Sequence, residues 1–151
     1  MRPAEEQTLH EKVVTEISRK VFAYPDERRP DLFTVVNHPK VNARVKSPGG
    51  EIAPDIVVLN TRSKFAVAIA QVETSSTVTE QESEQWKQLS MACNNFFIYV
   101  PEEKAADAQK LLTAKEVAYS ALVGYKLAET GNLTLKQIAA HQGNIYGKPR
   151  K

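Results

Sequence analysis

The chain has 151 residues, with 20 Lys and Arg against 18 Asp and Glu, for a net charge of +2 at neutral pH. That length suits one domain with one core, burying roughly 70% of the unfolded chain's surface, so it needs neither disulfides nor a structural metal to fold. No apolar run approaches the roughly 20 residues that span a bilayer, and the opening MRPAEEQTLHEK lacks the apolar stretch of a signal peptide.

The single cysteine, Cys93, has no internal partner and no CxxC companion. It follows Leu89-Ser-Met-Ala92 and reads as a small buried residue rather than a nucleophile. These features point to a cytoplasmic protein with no membrane partner. Near-balanced charge does not by itself mark a nucleic-acid binder. The distribution is more informative, because Lys40, Arg44 and Lys46 share one loop with no acid among them. A solvated surface would look the same.

The first element is a helix, with Leu9, Val13, Val14 and Ile17 at helical spacing and Thr8 and Glu11 placed for a capping box. Pro25 and Pro30 close that segment. Leu32–His38 reads as a strand ended by Pro39, and residues 39–50 as a loop finishing in Ser47-Pro-Gly-Gly50. Asp55–Asn60 and Phe65–Glu73 are apolar on both faces, as central strands covered on each side are, and the short connection between them suits a hairpin.

Residues 78–93 read as a helix with Val78, Trp86, Leu89 and Ala92 on its apolar side. Phe96–Val100 is a further buried strand, ended by Pro101. Glu102 and Glu103 open the next helix, whose apolar side carries Ala105, Ala108, Leu111 and Leu112. Residues 118–127 and 133–138 read as a hairpin, the first of them with a helical alternative, and 139–151 as a frayed basic tail. The order α-β-β-β-α-β-α-β-β predicts a single α/β domain, a mixed central sheet flanked by helices, with a core spanning residues 8–138.

Chemistry is suggested where polar residues interrupt buried strands, because an unpaired charge there costs several kcal/mol, on the order of what a paired or metal-bound one avoids. Asp55 begins one strand; Gln71 and Glu73, on a common face, end the next. If those strands pair antiparallel, the three meet at one end of the sheet as an oxygen-donor site for Mg²⁺ or Mn²⁺. The plain alternative has Asp55 closing the strand entrance and Glu73 starting a solvated loop.

His10 and His38 are possible general bases, although a histidine beside Pro39 reads more simply as a polar strand edge. Trp86 reads as core rather than as a base-stacking platform.

Pro54-Asp55-Ile-Val-Val58, followed across the hairpin by Ile69-Ala-Gln71-Val-Glu73-Thr74, resembles the paired motif of the PD-(D/E)XK (restriction endonuclease-like) nuclease superfamily. The element order over residues 8–100 resembles that family's αβββαβ core. Gln71-Val-Glu-Thr, Trp86-Lys87 and Tyr99-Val-Pro-Glu102 are similar to a less characterised branch. The resemblance implies a divalent-metal-dependent nuclease acting on DNA, with a homodimer as one way to address both strands.

It makes Asp55 the metal-binding acid. Gln71 stands where the family has Asp or Glu, and Glu73 where it has Lys. Both are departures: Gln71 offers an oxygen without charge, and the usual water-orienting lysine is missing. Lys87 would be a migrated substitute, and Glu11 (or Glu16) the acid from the first helix. Lys40, Arg44 and Lys46 would hold neighbouring phosphates. The same departures leave open a catalytically inactive module of this fold, binding nucleic acid or a protein partner.

Overall fold

A computed structural model describes residues 2–140. Three α-helices and a six-stranded mixed sheet form one α/β unit. Helix α1 spans Ala4–Lys20, and β1 spans Leu32–Val36. A small hairpin follows, β2 (Val45–Ser47) and β3 (Gly50–Ile52). Then come β4 (Ile56–Asn60), β5 (Ala66–Val72), α2 (Glu80–Ala92), β6 (Phe96–Pro101), α3 (Ala105–Ala114), β7 (Ala121–Leu127) and β8 (Leu133–Ala140).

The large sheet runs β1-β4-β5-β6-β7-β8. β4 lies between β1 and β5 and is antiparallel to both, β5, β6 and β7 are parallel, and β8 returns antiparallel. Each parallel step carries its crossover helix, α2 and then α3, as such connections require. The strands are buried on both faces because each face has its own cover. Val13, Val14 and Ile17 of α1 pack with Ile56, Val58, Ala68 and Val72 on one side. Trp86 and Leu89 of α2 and Leu112 of α3 pack with Val57, Ile69 and Ile98 on the other.

The segment 39–50, expected to be loop throughout, contains β2 and reaches the first residue of β3. Ser47-Pro-Gly-Gly50 is the turn of that hairpin, with Gly50 at φ 122°. The hairpin leans on α2 through Gly49 N–H, which donates to Gln88 Oε1 at 2.8 Å.

The expected capping box at Thr8 is not formed. Helix α1 begins four residues earlier, at Ala4, and the Thr8 hydroxyl donates to the Ala4 carbonyl. Residues 121–127 are strand rather than the helical alternative, since β7 is held between β6 and β8. Ala139 and Ala140 belong to β8, and the rest of the expected tail lies outside the described residues. No helix among the described residues is long and apolar enough to cross a membrane.

Candidate metal centre

β1 pairs with β4 so that Val36 faces Ile56. Its continuation, Asn37-His38, therefore runs beside Pro54-Asp55, and Asn37 N–H donates to the Asp55 carbonyl at 3.0 Å. On the other flank, β4 ends its pairing with β5 at Ile56 opposite Ala70. Asp55 lies just beyond, its N–H donating to Gln71 Oε1 at 3.2 Å and its Oδ2 accepting Val72 N–H at 2.7 Å. α1 crosses this end of the sheet with His10, Val13, Val14 and Ile17 inward.

Three side chains meet there. His10 Nε2 lies 3.1 Å from Asp55 Oδ2, and His38 Nε2 lies 2.5 Å from Asp55 Oδ1. The ligand atoms of the three all fall within 4.8 Å of one another. The two rings pack edge to face, with centroids 4.5 Å apart. Burial alone would raise the Asp55 carboxyl, but the hydrogen bonds and charge of His10 and His38 hold it down to about 2. An ionised carboxylate accepts, so both imidazoles present Nε2–H to it. His10 Nδ1 is buried and has no partner among the described residues.

Glu73 is in a different setting. It is fully buried rather than the start of a solvated loop. Its Oε2 accepts Trp86 Nε1–H at 2.8 Å, and its Oε1 faces Arg2 Nη2 at 3.5 Å. Burial is the largest influence on this carboxyl and pushes it up to about 8. Hydrogen bonds from Thr77 and Trp86 pull the other way, and the charges of Glu82 and Asp55 add to the rise. Trp86 is core, as expected, and also holds this acid.

The residues expected to share a cation are thus divided. Asp55 turns toward α1 and the histidines, while Glu73 turns toward α2. Gln71 stands beside Asp55 with its amide oxygen engaged by the Asp55 N–H. Glu11 accepts from Gln7 at 3.1 Å, and its neighbour His10 is the residue α1 sends to Asp55. Lys87 donates to the Glu116 carbonyl at 2.6 Å, following the turn after α3. Cys93 is half-buried, and burial raises its thiol.

Lys40, Arg44 and Lys46 are exposed, with Lys40 and Arg44 in the loop after β1 and Lys46 in β2 rather than in that loop. The loop is braced by buried Asn37, whose Nδ2 donates to the carbonyls of Ala43 (2.7 Å) and Pro54 (2.6 Å). Its Oδ1 accepts from Asn42 N and Ala43 N at 2.6 and 2.8 Å. One amide therefore ties the basic loop to the strand that carries Asp55.

No family model, curated protein or solved structure matches this chain. Two imidazoles and a carboxylate suit borderline divalent ions such as Fe²⁺ or Zn²⁺, and they suit Mn²⁺ better than Mg²⁺, which prefers an all-oxygen shell. His10 had a legible signal, since it shares the buried face of Val13, Val14 and Ile17 at helical spacing. Arg2 and Asn37 had none.

Proposed function

We propose that this chain is a divalent-metal-dependent phosphodiesterase acting on DNA, a nuclease of the PD-(D/E)XK type. The observation that carries it is the convergence of His10 and His38 on the Asp55 carboxylate. Further support comes from the strand order, in which antiparallel β1, β4 and β5 pass through α2 to parallel β6, behind a first helix that covers the sheet. The site lies at the carboxyl end of β5, where open α/β sheets bind ligands.

Asp55, His10 and His38 would hold the ion, each imidazole moving its proton from Nε2 to Nδ1 so that Nε2 is free to ligate, with Mn²⁺ preferred over Mg²⁺. When bound, a divalent ion there polarises a phosphate and lowers the pKa of an attacking water. The protein's own residues do the remaining work. His38, whose side chain is 22% exposed, is the group at the mouth of the site. His10 is sealed behind it. Lys40, Arg44 and Lys46, exposed beside the Asn37-braced segment, would hold flanking phosphates.

Glu73 does not complete a pair of ligands in this arrangement, and that division favours a second reading. In it the chain keeps the fold and binds DNA without cutting it. Incubation with duplex, single-stranded and branched DNA in Mn²⁺ separates the two. The first reading expects cleavage that disappears in His38→Ala and Asp55→Ala. Binding with no cleavage in any of the three supports the second. Equal cleavage by wild type and both variants would mark a contaminant and remove the first.

A further inference from the structure

Even-numbered residues at the end of β5 direct their backbone groups toward β4, while Glu73 N–H goes to Tyr99 of β6. Val72 lies beyond the last β4 pair, so its two polar groups are left to side chains. Its N–H goes to Asp55 Oδ2 at 2.7 Å, and its carbonyl accepts from Arg2 Nη2 at 3.2 Å. One residue's backbone therefore links the carboxylate of the metal centre to a guanidinium.

That guanidinium is fixed in place. Nε donates to Thr74 Oγ1 at 2.9 Å, and Nη2 also faces Glu73 Oε1 at 3.5 Å. Nη1 makes no hydrogen bond to a described residue. It is not sealed either, because His10 Nδ1 is the one buried side-chain nitrogen or oxygen without a partner among the described residues. The Arg2 side chain keeps 16% of its surface exposed. A braced arginine with an unspent edge presents fixed N–H donors to an oxyanion.

We propose that Arg2 is the phosphate-holding residue of the Asp55 centre, its Nη1 edge taking an oxygen of a phosphate group that also reaches the bound metal. The proposal rests on the metal-centre reading given above. The surrounding charge makes the binding conditional. Glu6, bonded to Ser76 N and Oγ at 3.2 and 2.7 Å, is close to Arg2. With Asp55 it makes the neighbourhood unfavourable for an anion until a divalent cation is present. Once it is, Arg2 and the ion face one phosphate together, the arrangement that offsets charge in phosphoryl chemistry.

The test titrates thymidine 5′-monophosphate, with plain thymidine as control, into the full chain with and without Mn²⁺. Wild type should bind the monophosphate only with Mn²⁺, and should not bind thymidine. Arg2→Gln should keep the Mn²⁺-induced thermal shift yet bind the monophosphate about tenfold or more weakly, the scale of a lost hydrogen bond between charged groups. Arg2→Lys, with the charge but not the fork, should fall between. Affinity in Arg2→Gln within about twofold of wild type would overturn the role of Arg2 and leave the metal centre standing. If Arg2→Gln does not fold, unchanged affinity in Arg2→Lys overturns it. An absent Mn²⁺ effect in wild type removes both the centre and this proposal.

Discussion

His10 on α1 and Asp55 before β4 lie 45 residues apart in sequence and meet through a buried hydrogen bond of 3.1 Å. The contact closes α1 over the end of the sheet. It also fixes how Asp55 is used, since both carboxylate oxygens face an imidazole and one also receives Val72 N–H.

Asp55→Ala should therefore be costly to the fold as well as to function. It leaves a buried His10 Nε2–H and the Val72 N–H without their acceptor, each a loss of about 1–3 kcal/mol. Chemical denaturation should show a fall of ~3–5 kcal/mol, as for breaking a buried charged pair. Asp55→Asn, which retains one acceptor oxygen, should lose less.

Glu73 gives a pH dependence of defined sign. Its carboxyl ordinarily titrates at 4.5 and is raised to about 8 in the fold. Between those values the native state holds the proton more tightly than the unfolded chain, so stability falls as pH rises. The contribution is whole below 4.5 and is lost through about 8. Glu73→Gln removes the titration and keeps an acceptor for Trp86. Melting curves should show the variant gaining on wild type from pH 5 to pH 9, by up to ~4 kcal/mol. Parallel curves for the two proteins would contradict the raised carboxyl.

The basic loop should act through phosphates, not bases. Substituting Lys40, Arg44 or Lys46 by Gln should weaken DNA binding uniformly across sequences, with each lost contact lowering the salt slope by about one. Binding measured from low to moderate salt on two unrelated duplexes checks this. A slope unchanged in the triple variant would place the DNA elsewhere.

Lys87 should matter little to chemistry. It is engaged with the Glu116 carbonyl, so Lys87→Met should leave cleavage intact and cost about 1 kcal/mol, the scale of one hydrogen bond.

The sheet was largely legible because β4, β5 and β6 are runs of Val, Ile, Ala and Phe that only central strands covered on both faces accommodate. The hairpin β2–β3 was not, since three-residue strands leave no periodicity to read. Asp55 was found from its position at the mouth of a buried strand. Its partners were harder, because hydrogen bonds to His10 and His38 depend on α1 crossing the sheet end and on β1 pairing with β4. A histidine on an apolar helical face was a signal, and it was outweighed by Glu11 one residue later. The burial of Glu73 was unreadable, as it depends on how α2 folds Trp86 back over the strand end and on Arg2, 71 residues earlier.

The central claim is that His10, His38 and Asp55 hold a divalent ion. Thermal unfolding during a Mn²⁺ titration tests it directly, with Mg²⁺ for comparison. Wild type should gain ~2.7 kcal/mol at a hundredfold excess over Kd, with a weaker response to Mg²⁺, and His38→Ala should lose the gain while remaining folded. No Mn²⁺ response in wild type, or the same response in His38→Ala, would contradict it.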